Sequence, residues 1–204
     1  WSEQQFIPVM KTEDSARNCW APEITFDAAT GQYMIYCATT IAGKYKVDDK
    51  VENGYNHRLY YTTTKDLKSF TKTALLYDKG FNVIDATIVP DAGKFIMFLK
   101  DETPEPAQKN IRVAVSNQLA EGYSDPSPPI TAKYWAEGPT TLKIGKTWLV
   151  YFDKYTEEKY GAVSSKDLLH WKDISNKISL PKGIRHGSIF CITNEEFNKL
   201  KAWW

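Results

Sequence analysis

The sequence predicts an all-β protein assembled from β-propeller blades. Two observations carry that prediction. A short hairpin motif occurs three times, and a strand motif following it recurs with a period of about 50 residues. A third agrees: aromatic residues reach 14%, with 7 Trp and 12 Tyr, and aromatic side chains favour strands.

The hairpin motif begins Ala21-Pro22-Glu23-Ile24-Thr25-Phe26, Asp85-Ala86-Thr87-Ile88-Val89-Pro90 and Glu137-Gly138-Pro139-Thr140-Thr141-Leu142. A glycine stands 8 residues after each acid, at Gly31, Gly93 and Gly145. An apolar run then follows: Tyr33 to Tyr36, Phe95 to Phe98 and Trp148 to Tyr151. Apolar runs joined by a short glycine-containing turn read as a hairpin. The next strand motif runs Tyr60 to Leu67, Val113 to Leu119 and Ala162 to Leu168, with the aromatics Phe70, Tyr123 and Trp171 close behind. Its leucines are 52 and 49 residues apart, a blade period. Helical periodicity is confined to Asn194–Lys201, where Thr193 and Glu196 are spaced for a capping box.

Arg185-His186-Gly187-Ser188-Ile189-Phe190 reads as a fourth inner strand, with no hairpin partner after it. Trp1 stands where Trp171 stands in its own repeat, at the tail of a blade. The expectation is one partial propeller over residues 1–204, with about four inner strands, three complete blades and a short C-terminal helix. The remaining strands are expected upstream of Trp1, since an unpaired edge invites aggregation. Phe26, Ile88, Leu142 and Ile189 are expected to pack between blades.

Composition excludes several classes. With 26 Lys+Arg against 25 Asp+Glu the net charge is +1, which lacks the concentrated basic surface of a nucleic-acid binder. No apolar run approaches the roughly 18 residues a spanning helix needs, so no membrane partner is expected. Cys19, Cys37 and Cys191 show no metal-type spacing and read as small buried hydrophobes, with one necessarily unpaired. The first residue is Trp, which points to a trimmed N-terminus and a targeting segment lost from view.

In a propeller the innermost strands line a central channel. Glu23, Asp85 and Glu137 are expected in one register there, joined by Arg185 and His186. Neighbouring carboxylates raise one another's proton affinity and a nearby Arg lowers it. One acid can then stay protonated while another is ionised, the split that glycoside hydrolysis uses. Trp20 and Trp135 flank this region and could stack on a sugar ring.

Trp20-Ala21-Pro22-Glu23, Ile84-Asp85-Ala86-Thr87, Glu137-Gly138-Pro139 and Arg185-His186-Gly187 resemble the successive inner-strand motifs of glycoside hydrolase family 43. The Lys-Asp-Leu segment ending in Trp171 resembles its blade ends. Gly138 after the acid, where fructan- and sucrose-cleaving propellers have Cys, favours family 43. The resemblance implies a five-bladed propeller and an inverting, exo-acting glycosidase on arabinose- or xylose-containing plant glycans. It implies Glu137 as general acid and Asp85 as the acid that tunes and orients it. The general base would sit in an Asp-Pro motif upstream of Trp1; Asp125-Pro126 lies in a Pro- and Ser-rich loop and does not match. Glu23, Arg185, Trp20 and Trp135 are the substrate-binding candidates. His186 matches a histidine near the channel centre that reaches a structural calcium ion, commonly through water, although no cofactor is required. A secreted or periplasmic setting follows from the same likeness.

Two other functions compete. A non-catalytic or degenerate carbohydrate-binding propeller would explain a chain lacking its general base. A protein-interaction scaffold is the weaker alternative, since propellers host many functions.

Overall fold

The computed structural model describes residues 3–45, 52–181 and 183–202. The position of Trp1 in the repeat therefore lies outside the described residues. Three antiparallel sheets are present. The first orders β1 (Trp20–Asp27), β2 (Gln32–Thr39), β3 (Arg58–Thr64) and β4 (Ala74–Tyr77). The second orders β5 (Val83–Asp91), β6 (Lys94–Asp101) and β7 (Asn110–Ser116). The third orders β8 (Glu137–Ile144), β9 (Thr147–Lys154), β10 (Lys159–Ser165) and β11 (Lys172–Asp173). These are the three repeats read from the sequence. Strand β5 packs beside β1 on one side and β8 on the other. The sheets form no closed ring among the described residues. Arg185 to Phe190 forms no strand, which corrects the fourth inner strand: a strand needs a backbone ladder to a neighbour, and among the described residues this segment pairs with no strand, its Ile189 N–H going instead to the Thr140 hydroxyl.

The second sheet is buried on both faces, and its sequence shows why. Along β6, Phe95, Met97 and Leu99 pack with Met34, Tyr36 and Leu59 of the first sheet. The alternate residues Ile96 and Phe98 pack with Trp148, Val150 and Phe152 of the third. A strand covered on both faces reads as a continuous apolar run because successive side chains point opposite ways. A polar stitch joins the first two inner strands. The Thr25 hydroxyl donates to the Ile88 carbonyl at 2.8 Å, and the Ile88 N–H donates to Tyr36 Oη at 2.9 Å.

Each inner strand carries a bulge near its start. Pairing shifts between Trp20 and Glu23, between Ile84 and Thr87, and between Glu137 and Thr140. The first extra residue is left-handed each time: Ala21 at φ 45, Asp85 at φ 50 and Gly138 at φ 56. A bulge bends its strand and re-aims the neighbouring side chains. This geometry corrects the expectation that Glu23, Asp85 and Glu137 share one register. Glu23 follows its bulge, Asp85 is the first residue in its bulge, and Glu137 precedes its bulge. The equal spacing to glycine arises because the turns differ. Asp27 pairs with Gln32 across four turn residues, whereas Asp91–Lys94 and Ile144–Thr147 enclose two each.

Two further expectations change. Cys19 and Cys37 are joined in a disulfide that ties the chain just before β1 to β2, while Cys191 is free and exposed. The cysteines are thus not simply small buried hydrophobes: strand pairing brings two of them within a Cα separation of 5.5 Å, in the range a disulfide requires. Of the residues expected between blades, Ile88 is buried and Leu142 and Ile189 are half-buried, but Phe26 is exposed. It shares its face of β1 with Ile24, which is exposed as well. The C-terminal helix α1 (Asn194–Lys201) forms as read, with both bonds of its capping box in place.

Candidate active site

The bulges place the chemistry. Asp85 projects from the left-handed position of β5, and its Oδ2 accepts the Gly138 N–H at 3.0 Å. Glu137 begins β8, one residue away. His186 lies over Gly138 and donates from Nε2 to Glu137 Oε1 at 3.1 Å. Only glycine admits this approach: a Cβ on Gly138 would stand 2.8 Å from His186 Nδ1, on backbone whose φ of +56 already favours glycine. Donor atoms of Asp85, Glu137 and His186 all lie within 4.8 Å of one another. A cavity of about 280 Å³ opens beside them, lined by Pro22, Glu23, Asp85, Gly138, His186 and Ser188 among others.

Glu137 is held by three donors, two of them cationic. Lys100 Nζ lies 3.0 Å from Oε2, while Arg185 Nη2 at 3.2 Å and His186 share Oε1. Burial pushes the Glu137 carboxyl up, but the His186 hydrogen bond and the Lys100 charge outweigh it and bring the pKa down to about 2. Asp85 moves the other way: burial raises it, with Lys100 opposing. His186 is raised by its bond to Glu137. Burial also raises Glu23. The two central carboxyls are therefore shifted in opposite directions, Glu137 down and Asp85 up.

The structure brings Glu23, Asp85, Glu137, Arg185 and His186 together. Arg185 pairs with Asp153 of β9 and with Glu137. Asp153 faces Glu137 across the β8–β9 ladder, so the guanidinium reaches both carboxylates at once. Trp20 and Trp135 are each about two-fifths exposed and do not line the cavity. The Trp20 ring lies 4.7 Å from His57 and 4.9 Å from Tyr55; the Trp135 ring lies 5.9 Å from Tyr155.

Sequence reasoning passed over Lys100, Asp153 and His57. Lys100 ends the apolar run of β6 and is 1% exposed. A lysine continuing a buried strand must have anionic partners, and that signal was readable. Asp153 similarly ends the run of β9. His57 carried no such mark.

The Asp85–Glu137–His186 cluster could in principle hold a metal ion. Its donors do not suit calcium, which takes six to eight oxygens. One donor is an imidazole nitrogen, and both Glu137 oxygens already accept from positive groups.

Comparison with known proteins adds the decisive observation. Residues 1–198 match the family model described as a "probable glycosyl hydrolase domain", a relative of glycoside hydrolase family 43. The chain belongs to this family. No curated protein matches it. Among solved structures it is similar to a β-xylosidase, at 13% identity and a TM-score of 0.57, covering 74% of this chain and 56% of that one. It is similar to an α-L-arabinofuranosidase from Lactobacillus brevis, at 18% identity and a TM-score of 0.56, covering 80% and 57%. It is also similar to an exo-β-1,3-galactanase from Phanerochaete chrysosporium, at 9% identity and a TM-score of 0.57, covering 79% and 36%. The aligned part thus spans little more than half the length of the first two. At these identities the likeness shows the fold alone.

Proposed function

We propose that this chain is part of a five-bladed propeller whose centre hydrolyses glycosidic bonds with inversion, acting exo on arabinose- or xylose-containing plant glycans. The observation carrying this reading is that Asp85, Glu137 and His186 come from separate segments yet meet beside the cavity that Glu23 lines. Family membership supports it, as do the xylosidase and arabinofuranosidase among similar structures. Glu137 is the general acid and protonates the leaving oxygen. Asp85 orients it by holding the N–H of the adjacent Gly138. The proton requires weaker positive charge at Oε1. Arg185 is the group to yield, because its side chain is 58% exposed and a sugar hydroxyl can displace it. The base is an aspartate of an Asp-Pro motif upstream of Trp1. Glu23 and Arg185 contact the bound sugar, and Trp20 and Trp135 provide stacking faces. A secreted or periplasmic setting is supported by the Cys19–Cys37 disulfide, since disulfides persist in oxidising compartments. No helix among the described residues is long and apolar enough to cross a membrane.

The protein in its longest natural form should release nitrophenol from nitrophenyl α-L-arabinofuranoside or β-xyloside, and NMR should show the inverted sugar first. Glu137→Gln should abolish turnover on natural glycans. Absence of turnover on any glycoside would defeat the reading. The ion-paired state of Glu137 favours a second reading, a carbohydrate-binding propeller without catalysis. Oligosaccharide binding that survives Asp85→Asn with Glu137→Gln, measured by calorimetry, would favour it.

A further inference from the structure

Behind Glu137 lies a row of alternating charges. Lys100 sits between two carboxylates, 3.0 Å from Glu137 Oε2 and 2.7 Å from Glu102 Oε2. Its ammonium also lies 4.6 Å from the centroid of the Tyr155 ring. Glu102 is fixed in turn: Lys109 Nζ reaches its Oε1 at 2.6 Å, and its backbone N–H donates to the Asn82 carbonyl at 2.8 Å. Desolvating an ammonium is costly, and close carboxylates on both sides compensate it. The other charged groups around Glu137 lie elsewhere. Arg185 and His186 bind Oε1, Asp153 lies across the ladder, and Asp85 holds Gly138. Lys100 alone among the described residues bonds Oε2.

We infer that Lys100 is a positioning residue: seated by Glu102, it pins Oε2 of Glu137 and leaves Oε1 as the carboxyl's working oxygen. This rests on the reading of Glu137 as general acid. The two oxygens then differ in role. Oε2 is committed to a buried, immobile cation. Oε1 is shared between His186 and the exposed Arg185, which can leave. Without Lys100 the carboxyl can rotate, and either oxygen can face the cavity.

The test compares Lys100→Met, which keeps the length and removes the charge, with Lys100→Arg, which restores the charge. On an arabino- or xylo-oligosaccharide, whose poor leaving group needs the proton of Glu137, Lys100→Met should lower kcat about a hundredfold, the scale of a small misplacement of a reacting group, with KM little changed. Lys100→Arg should recover much of that loss. Glu102→Gln loosens Lys100 without removing it and should lower kcat by a smaller factor; it carries the test if Lys100→Met does not fold. Wild-type kcat in the folded variants, or no difference between Met and Arg, would overturn the inference. If the wild type cleaves no glycoside, the proposed function fails separately. The inference is then read from crystal structures, with the Glu137 carboxyl rotated in Lys100→Met and kept in Lys100→Arg. An unmoved carboxyl in Lys100→Met would overturn it.

Discussion

At the scale of single residues, electrostatics and close approach govern the site. Glu137 takes up its proton only near pH 2, against an ordinary value of 4.5. Between those values the unfolded chain binds a proton that the folded chain refuses, so the Glu137 contribution is lost as pH falls through this window. It should reach on the order of 3 kcal/mol above pH 4.5. Urea unfolding of wild type and Glu137→Gln should therefore show a stability gap that narrows from pH 5 to pH 2. Gly138→Ala should be among the most damaging small changes. Its methyl would push His186 away from Glu137 and strain a φ of +56. We expect a loss of about 1–3 kcal/mol by urea unfolding, with turnover reduced as well. The acids and His186 were legible as candidates because each lies near the start of a recurring motif. Their roles were not, because Lys100 and Asp153 arrive from β6 and β9, distant in sequence, where Lys100 joins His186 in lowering Glu137 and Asp153 fixes Arg185.

At the scale of elements, the hairpins and α1 could be read directly, because turn glycines, apolar alternation and capping residues are local signals. Register was less legible. The spacing from acid to glycine suggested equivalence, yet the glycine is the fourth, second and first residue of its turn in the three hairpins, so Glu23, Asp85 and Glu137 stand at three different points relative to their bulges. The disulfide was hidden for a related reason: it depends on the antiparallel pairing of β1 with β2. Closing a loop of 18 residues should contribute about 3 kcal/mol, mainly by restricting the unfolded chain. In a Cys191→Ser background, dithiothreitol should lower the urea midpoint accordingly, and Cys19→Ser should match it without reductant. Helix α1 buries none of its residues. Thr193→Ala should therefore fray it, seen as faster amide exchange over residues 194–198, while the midpoint stays unchanged.

At the scale of the whole molecule, the second sheet is sandwiched while β1 keeps Ile24 and Phe26 exposed on one face. Contiguous exposed apolar surface is unusual on a solitary soluble protein. These 204 residues alone should bind the dye ANS, and Ile24→Lys with Phe26→Lys should reduce its fluorescence without lowering the unfolding midpoint. The sequence by itself determined that the protein is built of repeated antiparallel sheets, where the hairpins lie, and which acids lie near the starts of the inner strands. Those properties follow from alternation and turn chemistry over a few neighbouring residues. Tertiary structure alone decided that Glu137 is ionised, that Arg185 bridges to Asp153, that Lys100 is buried behind the site and that Cys19 meets Cys37. Each depends on groups brought together across strands or sheets, where distance and desolvation set the energy and no local pattern records either.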